Sequence, residues 1–200
     1  MDALAVYRND DAVRARERLV EELREHALVI GEVTLTSGAR ASYYVDAKRA
    51  ILLPEAFMAL GVLVAAHARE CGATAVGGVP VSAIPVACAA LAAPTPPAKG
   101  FIVRKERKAH GLQRWIEGPL LQAGERCLLV EDVVTSGGST IEAVERVRSE
   151  GLTVAGVISV LDRLAGGGDA IRAAIGPDAL YTPLVTIDEV YPDRPDRPTA

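Results

Sequence analysis

A chain of 200 residues, half of them apolar, has the material for one hydrophobic core and needs no disulfide or metal staple to fold. Its formal net charge of −4 excludes a general basic footprint for nucleic acid, which makes any local cluster of cations the more informative. Cys71, Cys88 and Cys127 are odd in number with no CxxC pair, which predicts reduced core thiols, and the absence of an N-terminal apolar signal core or of ~18 to 20 consecutive apolar residues predicts a cytoplasmic protein with no membrane span.

In chain order, Val13, Leu19, Val20 and Leu23 spaced among charges predict an amphipathic helix over 12–27. Two strand-like pieces, 32–36 and 42–46, flank the turn-rich Ser37-Gly38-Ala39-Arg40 and read as a hairpin. Pro54 suits a helix start, and 55–70 is an apolar-rich helix ended by Cys71-Gly72. A short strand over 73–78 runs into the turn Val79-Pro80-Val81-Ser82-Ala83, an alanine-rich helix and the breaker Pro94-Thr95-Pro96-Pro97. Strands follow over 101–103, 127–130, 154–160 and 179–184, with helices over 141–150 and 170–175. Strands separated by helices predict an α/β fold with a mostly parallel central sheet flanked by helices. A single domain is expected, with a small N-terminal hood over about 1–50, a core over about 51–185 and a tail over 186–200. The tail from Tyr191 repeats Pro, Asp and Arg without apolar anchors and is expected to be loosely packed. Gly166-Gly167-Gly168 reads as a flexible point or a loop before a helix, and His26 and His67 as surface or boundary histidines.

Two stretches carry the chemistry. Residues 128–140 run from a buried apolar strand into Glu131 and Asp132 and then into a hydroxyl- and glycine-rich turn that opens a helix. Carboxylates at the C-terminal edge of a parallel strand lie where such sheets bind ligands. Gly137 and Gly138 permit a close turn, Thr135, Ser136, Ser139 and Thr140 supply hydroxyl donors, and the helix start offers unpaired N–H groups to a phosphate. A diol acceptor beside a phosphate cradle implies a ribose 5-phosphate. The second stretch, 104–118, is too polar for a packed helix and too long for an idle connection. Its cations, Arg104, Lys105, Arg107, Lys108 and Arg114, point to an anionic ligand, against the alternative of a solvated surface loop.

These residues resemble a known family. The run Val130-Glu131-Asp132-Val133-Val134-Thr135-Ser136-Gly137-Gly138-Ser139-Thr140 looks like the phosphoribosyl pyrophosphate (PRPP) motif of type I phosphoribosyltransferases. Arg104-Lys105-Glu106-Arg107-Lys108-Ala109-His110-Gly111 resembles the mobile catalytic loop of orotate phosphoribosyltransferases. Leu35-Thr36-Ser37-Gly38 with Ser42-Tyr43-Tyr44-Val45-Asp46 is similar to their N-terminal signature, and Leu161-Asp162-Arg163 to their strand-end Asp-Arg. The matches keep the family's order over about residues 28–165.

The resemblance implies the type I phosphoribosyltransferase fold and a reaction of orotate with PRPP, with Mg2+, giving orotidine 5′-monophosphate and diphosphate in pyrimidine (UMP) synthesis. It implies catalytic roles for Lys105, Lys108, His110 and Asp132. PRPP would be held by Arg104, Lys105, Lys108, His110, Glu131, Asp132, Val133, Val134, Thr135, Ser136, Gly137, Gly138 and Ser139. Orotate would meet Thr135, Arg163, Tyr43 and Tyr44. Magnesium would be held through PRPP with no dedicated protein cage. A homodimer sharing the 104–118 loop across subunits is implied, with no nucleic-acid or membrane partner. Alternatives stay open residue by residue: a dipole-complementing role for the acids, an ion pair of Arg163 with Asp162, and plain strand aromatics at Tyr43 and Tyr44. At the level of function they are transfer to another base, or a non-catalytic PRPP-sensing regulator.

The chain departs from the pattern in places. Thr36 stands where many members have lysine, the turn 79–83 offers the Ser82 hydroxyl and backbone amides in place of a lysine, and Glu131 replaces a common Asp. Gly137-Gly138 is a conservative version of the usual small-Gly pair.

Overall fold

The computed structural model describes residues 9–34, 40–107 and 114–197. Helix α1 (Asn9–Glu22) passes into a wider π turn at Leu23–Ala27, and the chain then enters an antiparallel hairpin of β1 (Leu28–Thr34) and β2 (Arg40–Val45). The first strand therefore begins four residues earlier than the expected 32–36. Short helix α2 (Lys48–Ile51), which the sequence pattern did not signal, leads to α3 (Pro54–Glu70), whose first position carries the proline as expected.

The remaining strands build one sheet of order β5-β4-β3-β6-β7-β8. They are β3 (Ala75–Gly78), β4 (Lys99–Val103), β5 (Ile116–Glu117), β6 (Arg126–Val134), β7 (Thr153–Asp162) and β8 (Leu180–Thr186). All neighbours pair in parallel except β5, which returns antiparallel to β4. The intervening helices are α4 (Ala83–Leu91), α5 (Gly138–Ser149) and α6 (Gly167–Ile175), and α7 (Ile187–Val190) follows β8. One apolar cluster joins Leu19, Leu23, Leu60 and Val64 to Val76, Leu128 and Ile158, so α1, α3 and α4 cover one sheet face together with the hairpin. The other, with Leu129, Val157, Val144, Val147 and Ile171, lies under α5 and α6. A parallel sheet needs this cover on both faces, which explains why its strands read as unbroken apolar runs.

From β3 the chain first moves outward to β4, then crosses to the other side of β3 to lay down β6. That reversal makes the β3/β6 boundary a switch point, with a crevice outside the carboxyl ends of the two strands. Glycine is required there: a Cβ on Gly77 would sit 2.2 Å from the Phe101 carbonyl oxygen and one on Gly78 2.2 Å from that of Val130.

Several expectations need correction. The segment 104–118 is not all loop, because Ile116 and Glu117 form the edge strand β5 and turn it into the tip of a β4/β5 hairpin. Strand β6 runs past the two acids to Val134. The C-terminal segment is packed through Arg197: Tyr191 lies against the core, and Arg194 is buried in an ion pair with Asp188. Gly167 and Gly168 belong to α6, and Gly167 approaches the turn after β6 closely, its N–H donating to the Thr135 carbonyl at 3.0 Å. Cys127 is a core thiol, pushed up to about 12 by burial and by Glu125, whereas Cys71 is half-buried and Cys88 exposed. His67 Nδ1 lies 2.9 Å from the Leu63 carbonyl and His26 near Glu22, ordinary helical surroundings in both cases.

Candidate active site

Strand β6 pairs with β3 only as far as Leu129 but with β7 as far as Val134, so its last residues overhang the crevice. Face alternation slips across the acids: Val130 and Val133 pack into one cluster, Leu129 and Val134 into the other. Glu131 and Asp132 are both buried and point to different partners. The Glu131 carboxylate accepts hydrogen bonds from the hydroxyls of Ser139 (3.0 Å) and Thr140 (3.2 Å) at the start of α5 and Ser82 (3.4 Å) in the turn after β3. Burial, then the neighbouring Asp132 charge, raises its pKa above the usual carboxylate range against those hydroxyls. Asp132 accepts from the Val133 N–H at 2.8 Å and from Lys48 Nζ at 3.4 Å.

Lys48 was not anticipated. It reaches the site because β2 ends at Val45 and α2 begins at Lys48, so its ammonium lies 3.0 Å from Asp46 and 3.4 Å from Asp132. Burial lowers its pKa, but the Asp46 hydrogen bond and the Asp132 charge outweigh that and raise it, so the residue stays charged. The sequence signal was available, a lysine two residues after the Tyr-Tyr-Val-Asp strand, but nothing local says that this turn faces β6.

The turn expected to hold a phosphate follows directly. Gly137 has φ 79°, and a Cβ there would lie 2.9 Å from the Gly167 carbonyl oxygen. Thr135, Ser136, Gly138 and Ser139 are exposed, and the first N–H groups of α5 have no partner within the helix. Together they form a concave, donor-lined opening suited to a phosphate. The Val133 side chain packs inward, and the Val134 carbonyl is taken by the Arg163 N–H at 2.9 Å, which sets Arg163 beside the turn.

At Arg163 the structure brings part of the expected base site together. Its guanidinium carbon stands 5.0 Å from the centre of the buried Tyr43 ring, and its ion pair is with Asp196 at 3.9 Å, not with Asp162. Asp162 is occupied otherwise, accepting from the Leu164 N–H and the Tyr181 hydroxyl. Tyr44 does not join this group. Strand alternation turns it to the opposite face of the hairpin, 37% exposed, while Tyr43 and Val45 face inward.

Arg104 and Lys105 open the cationic loop where β4 ends. The Arg104 guanidinium donates to Glu117 at 2.6 Å, and its backbone N–H donates to the Trp115 carbonyl at 2.8 Å. With Lys105 they line an open depression of about 460 Å³ whose wall also includes the turn residues Pro80 and Val81. Trp115 ties the stem to α5: its N–H donates to Glu150 at 2.8 Å, and its ring lies under Arg146 (4.8 Å) and Arg107 (5.2 Å). Lys108, His110 and the signature residues Leu35 to Gly38, Thr36 among them, lie outside the described residues.

Comparison with known proteins agrees with this geometry. The family model described as phosphoribosyl transferase domain matches residues 73–174. An orotate phosphoribosyltransferase of Corynebacterium glutamicum is 44% identical over 165 residues, covering 82% of this chain and 89% of the relative. One from Streptomyces coelicolor is 42% identical over 171 residues, 83% and 92% of the two chains. Among solved structures, Mycobacterium tuberculosis orotate phosphoribosyltransferase in complex with 5-phospho-alpha-D-ribosyl 1-diphosphate superposes with a TM-score of 0.74 at 35% identity, covering 88% of this chain and 98% of that one. Sheet order, crevice, acid pair and phosphate turn, together with relatives of this similarity and coverage, show that the chain belongs to the orotate phosphoribosyltransferase family of type I phosphoribosyltransferases.

Proposed function

We propose the following division of labour for transfer of the phosphoribosyl group of PRPP to orotate, giving orotidine 5′-monophosphate and diphosphate in pyrimidine synthesis. The observation that carries it is the juxtaposition, at one switch-point crevice, of an acid pair, a donor-lined turn and an arginine against a buried tyrosine. Displacement at the anomeric carbon passes through a sugar cation as diphosphate leaves, so the barrier falls when the ribose is held and the leaving group neutralised.

Asp132 is the principal acceptor for the ribose hydroxyls. Glu131, held by three hydroxyls, links the phosphate turn to the Ser82 turn and would share the diol by releasing Ser82. Residues 135–139 hold the 5′-phosphate with backbone N–H groups and hydroxyls, Thr135 reaching toward the base. Arg104, Lys105, Lys108 and His110 close over the diphosphate and exclude water, with His110 able to donate a proton. Lys48 supplies a positive charge beside Asp132 in a chain whose Thr36 and Ser82 stand where many members have lysine. Arg163 and Tyr43 receive orotate.

Among the described residues no group of three or more His, Cys, Asp or Glu gathers to hold a metal. The donor set fits a magnesium ion that takes its oxygens from substrate and water, with Asp132 and Glu131 close by. When bound, it would neutralise the diphosphate. The rest of the reading is a cytoplasmic homodimer in which the 104–118 loop serves the neighbouring subunit, without nucleic-acid or membrane partner. No helix among the described residues is long and apolar enough to cross a membrane.

Incubation with PRPP, magnesium and each base in turn, following the loss of orotate absorbance, is expected to show turnover with orotate and none with adenine. Turnover of adenine alone would favour the other-base reading, and salt-dependent nucleic-acid binding without turnover the regulator. Lys108→Ala is expected to lower kcat by about 100-fold, the scale for a lost charge-stabilising donor, with a much smaller effect on orotate binding. An unchanged steady-state rate would remove the loop from the mechanism.

A further inference from the structure

The C-terminal segment does not end away from the site; it lies on it. The Tyr43 hydroxyl donates to both carboxylate oxygens of Asp196, at 3.0 and 2.9 Å, and Arg194 Nε stands 3.1 Å from the same carboxylate. Arg163 Nη2 is 3.9 Å from Asp196, close enough to feel the charge but beyond hydrogen-bond length. The Arg163 side chain is only 17% exposed, and its Nε is buried with no hydrogen-bond partner among the described residues. A guanidinium in this state has an unfilled demand, because its planar fork is made for two parallel bonds to one carboxylate.

We propose that the Asp196 carboxylate is the resident occupant of the anion position on Arg163, and that the carboxylate of orotate displaces it on binding. The inference rests on the reading of Arg163 as the arginine that faces the base. A ligand carboxylate lying in the guanidinium plane satisfies Nε and Nη2 together, which Asp196, tied to Tyr43 and Arg194, does not. Displacement needs little rearrangement. The segment is anchored upstream of Asp196, by Tyr191 packed edge-on to Tyr43 at 5.3 Å and by Arg194 paired with Asp188. Arg197 holds the chain on the far side, its N–H donating to the Arg194 carbonyl at 3.2 Å and its guanidinium to the Pro192 carbonyl at 2.9 Å, so the backbone stays in place while the Asp196 side chain, 57% exposed, rotates out. Asp196 thereby sets the affinity for the base without touching the reacting atoms, by competing for the cation that orotate needs.

The test compares KM for orotate and KM for PRPP in the unaltered protein, in Asp196→Asn and in a chain ending at Pro195, which keeps the Arg194 anchor. A half-exposed ion pair of this kind is weak, so KM for orotate is expected to fall by about two- to fivefold in both variants, with KM for PRPP unmoved. An unchanged or raised KM for orotate in both overturns the proposal. Arg163→Ala separates the proposal from the reading beneath it. A rise in its KM for orotate, together with no change in the Asp196 variants, overturns the competition alone, whereas no rise with Arg163→Ala overturns the base assignment itself.

Discussion

Glu131 shows how a single residue can cost stability in the crevice proposed to bind substrate. Its carboxylate is buried beside another carboxylate, and its raised pKa means that the folded protein retains a proton the unfolded chain has already released between the two pKa values. Folding stability therefore decreases as pH rises through that window. Replacing it by Gln, which still accepts from Ser139 and Thr140, is expected to stabilise the fold at neutral pH by on the order of 1 kcal/mol and to flatten that pH dependence. The same change should lower kcat/KM for PRPP by about tenfold or more, the scale of a lost hydrogen bond to a charged group. Urea unfolding from pH 5 to 8 beside initial rates checks both halves. At this scale the sequence was readable where the motif is contiguous, as in residues 131–139. It was not readable where partners are distant: Lys48 meets Asp132 across 84 positions, and Tyr43 meets Asp196 across 153. No local pattern encodes such pairs.

Among the elements, the least anticipated are the shortest. Helix α7 is held by a reciprocal capping box in which Glu189 accepts from the Thr186 N–H and hydroxyl, and Arg16 of α1 adds an ion pair to the same carboxylate. Partial burial would raise the Glu189 pKa, but the Thr186 N–H and Arg16 overcome it and hold it below the usual range. Its stabilising contribution is accordingly full above the ordinary value of 4.5 and is lost as pH falls through the depressed one. Thr186→Ala is expected to cost about 1 kcal/mol by removing the cap, measurable as a lower urea midpoint with an unchanged slope. Because α7 leads into the Tyr191 to Asp196 segment, the loss should be accompanied by a shift in KM for orotate. A four-residue helix carries too little periodicity to be seen in a sequence, whereas α3 and α5, with long apolar faces, were predicted nearly in place. The edge strand β5 escaped notice for the same reason, having two residues.

At the scale of the whole molecule, the cationic loop emerges from the β4/β5 edge of the sheet and its stem is clamped to α5 through Trp115. A loop rooted at an edge is well placed to serve a second copy of the chain. If Lys108 acts across a dimer interface, mixing equal amounts of Lys108→Ala and Asp132→Asn chains, each nearly inactive, should restore about a quarter of the native rate. Random pairing makes half of the dimers hybrids, and each hybrid has one intact site. No recovery after subunit exchange would confine the loop to its own subunit.

The sequence by itself determined the alternation of strands and helices, the parallel sheet and the acid pair leading into a glycine- and hydroxyl-rich turn, because periodicity, breakers and a contiguous turn motif are local properties of the chain. Tertiary structure alone decided that the β3/β6 reversal opens the crevice, that Lys48 stands beside Asp132, and that Tyr43 but not Tyr44 reaches Arg163. It also decided that a polar, proline-rich tail packs onto Tyr43 and sets its Asp196 near Arg163, the pair proposed to receive orotate. Long-range ion pairs and hydrogen bonds of this kind depend on how closed elements meet, and that is a property of the packed core rather than of any segment.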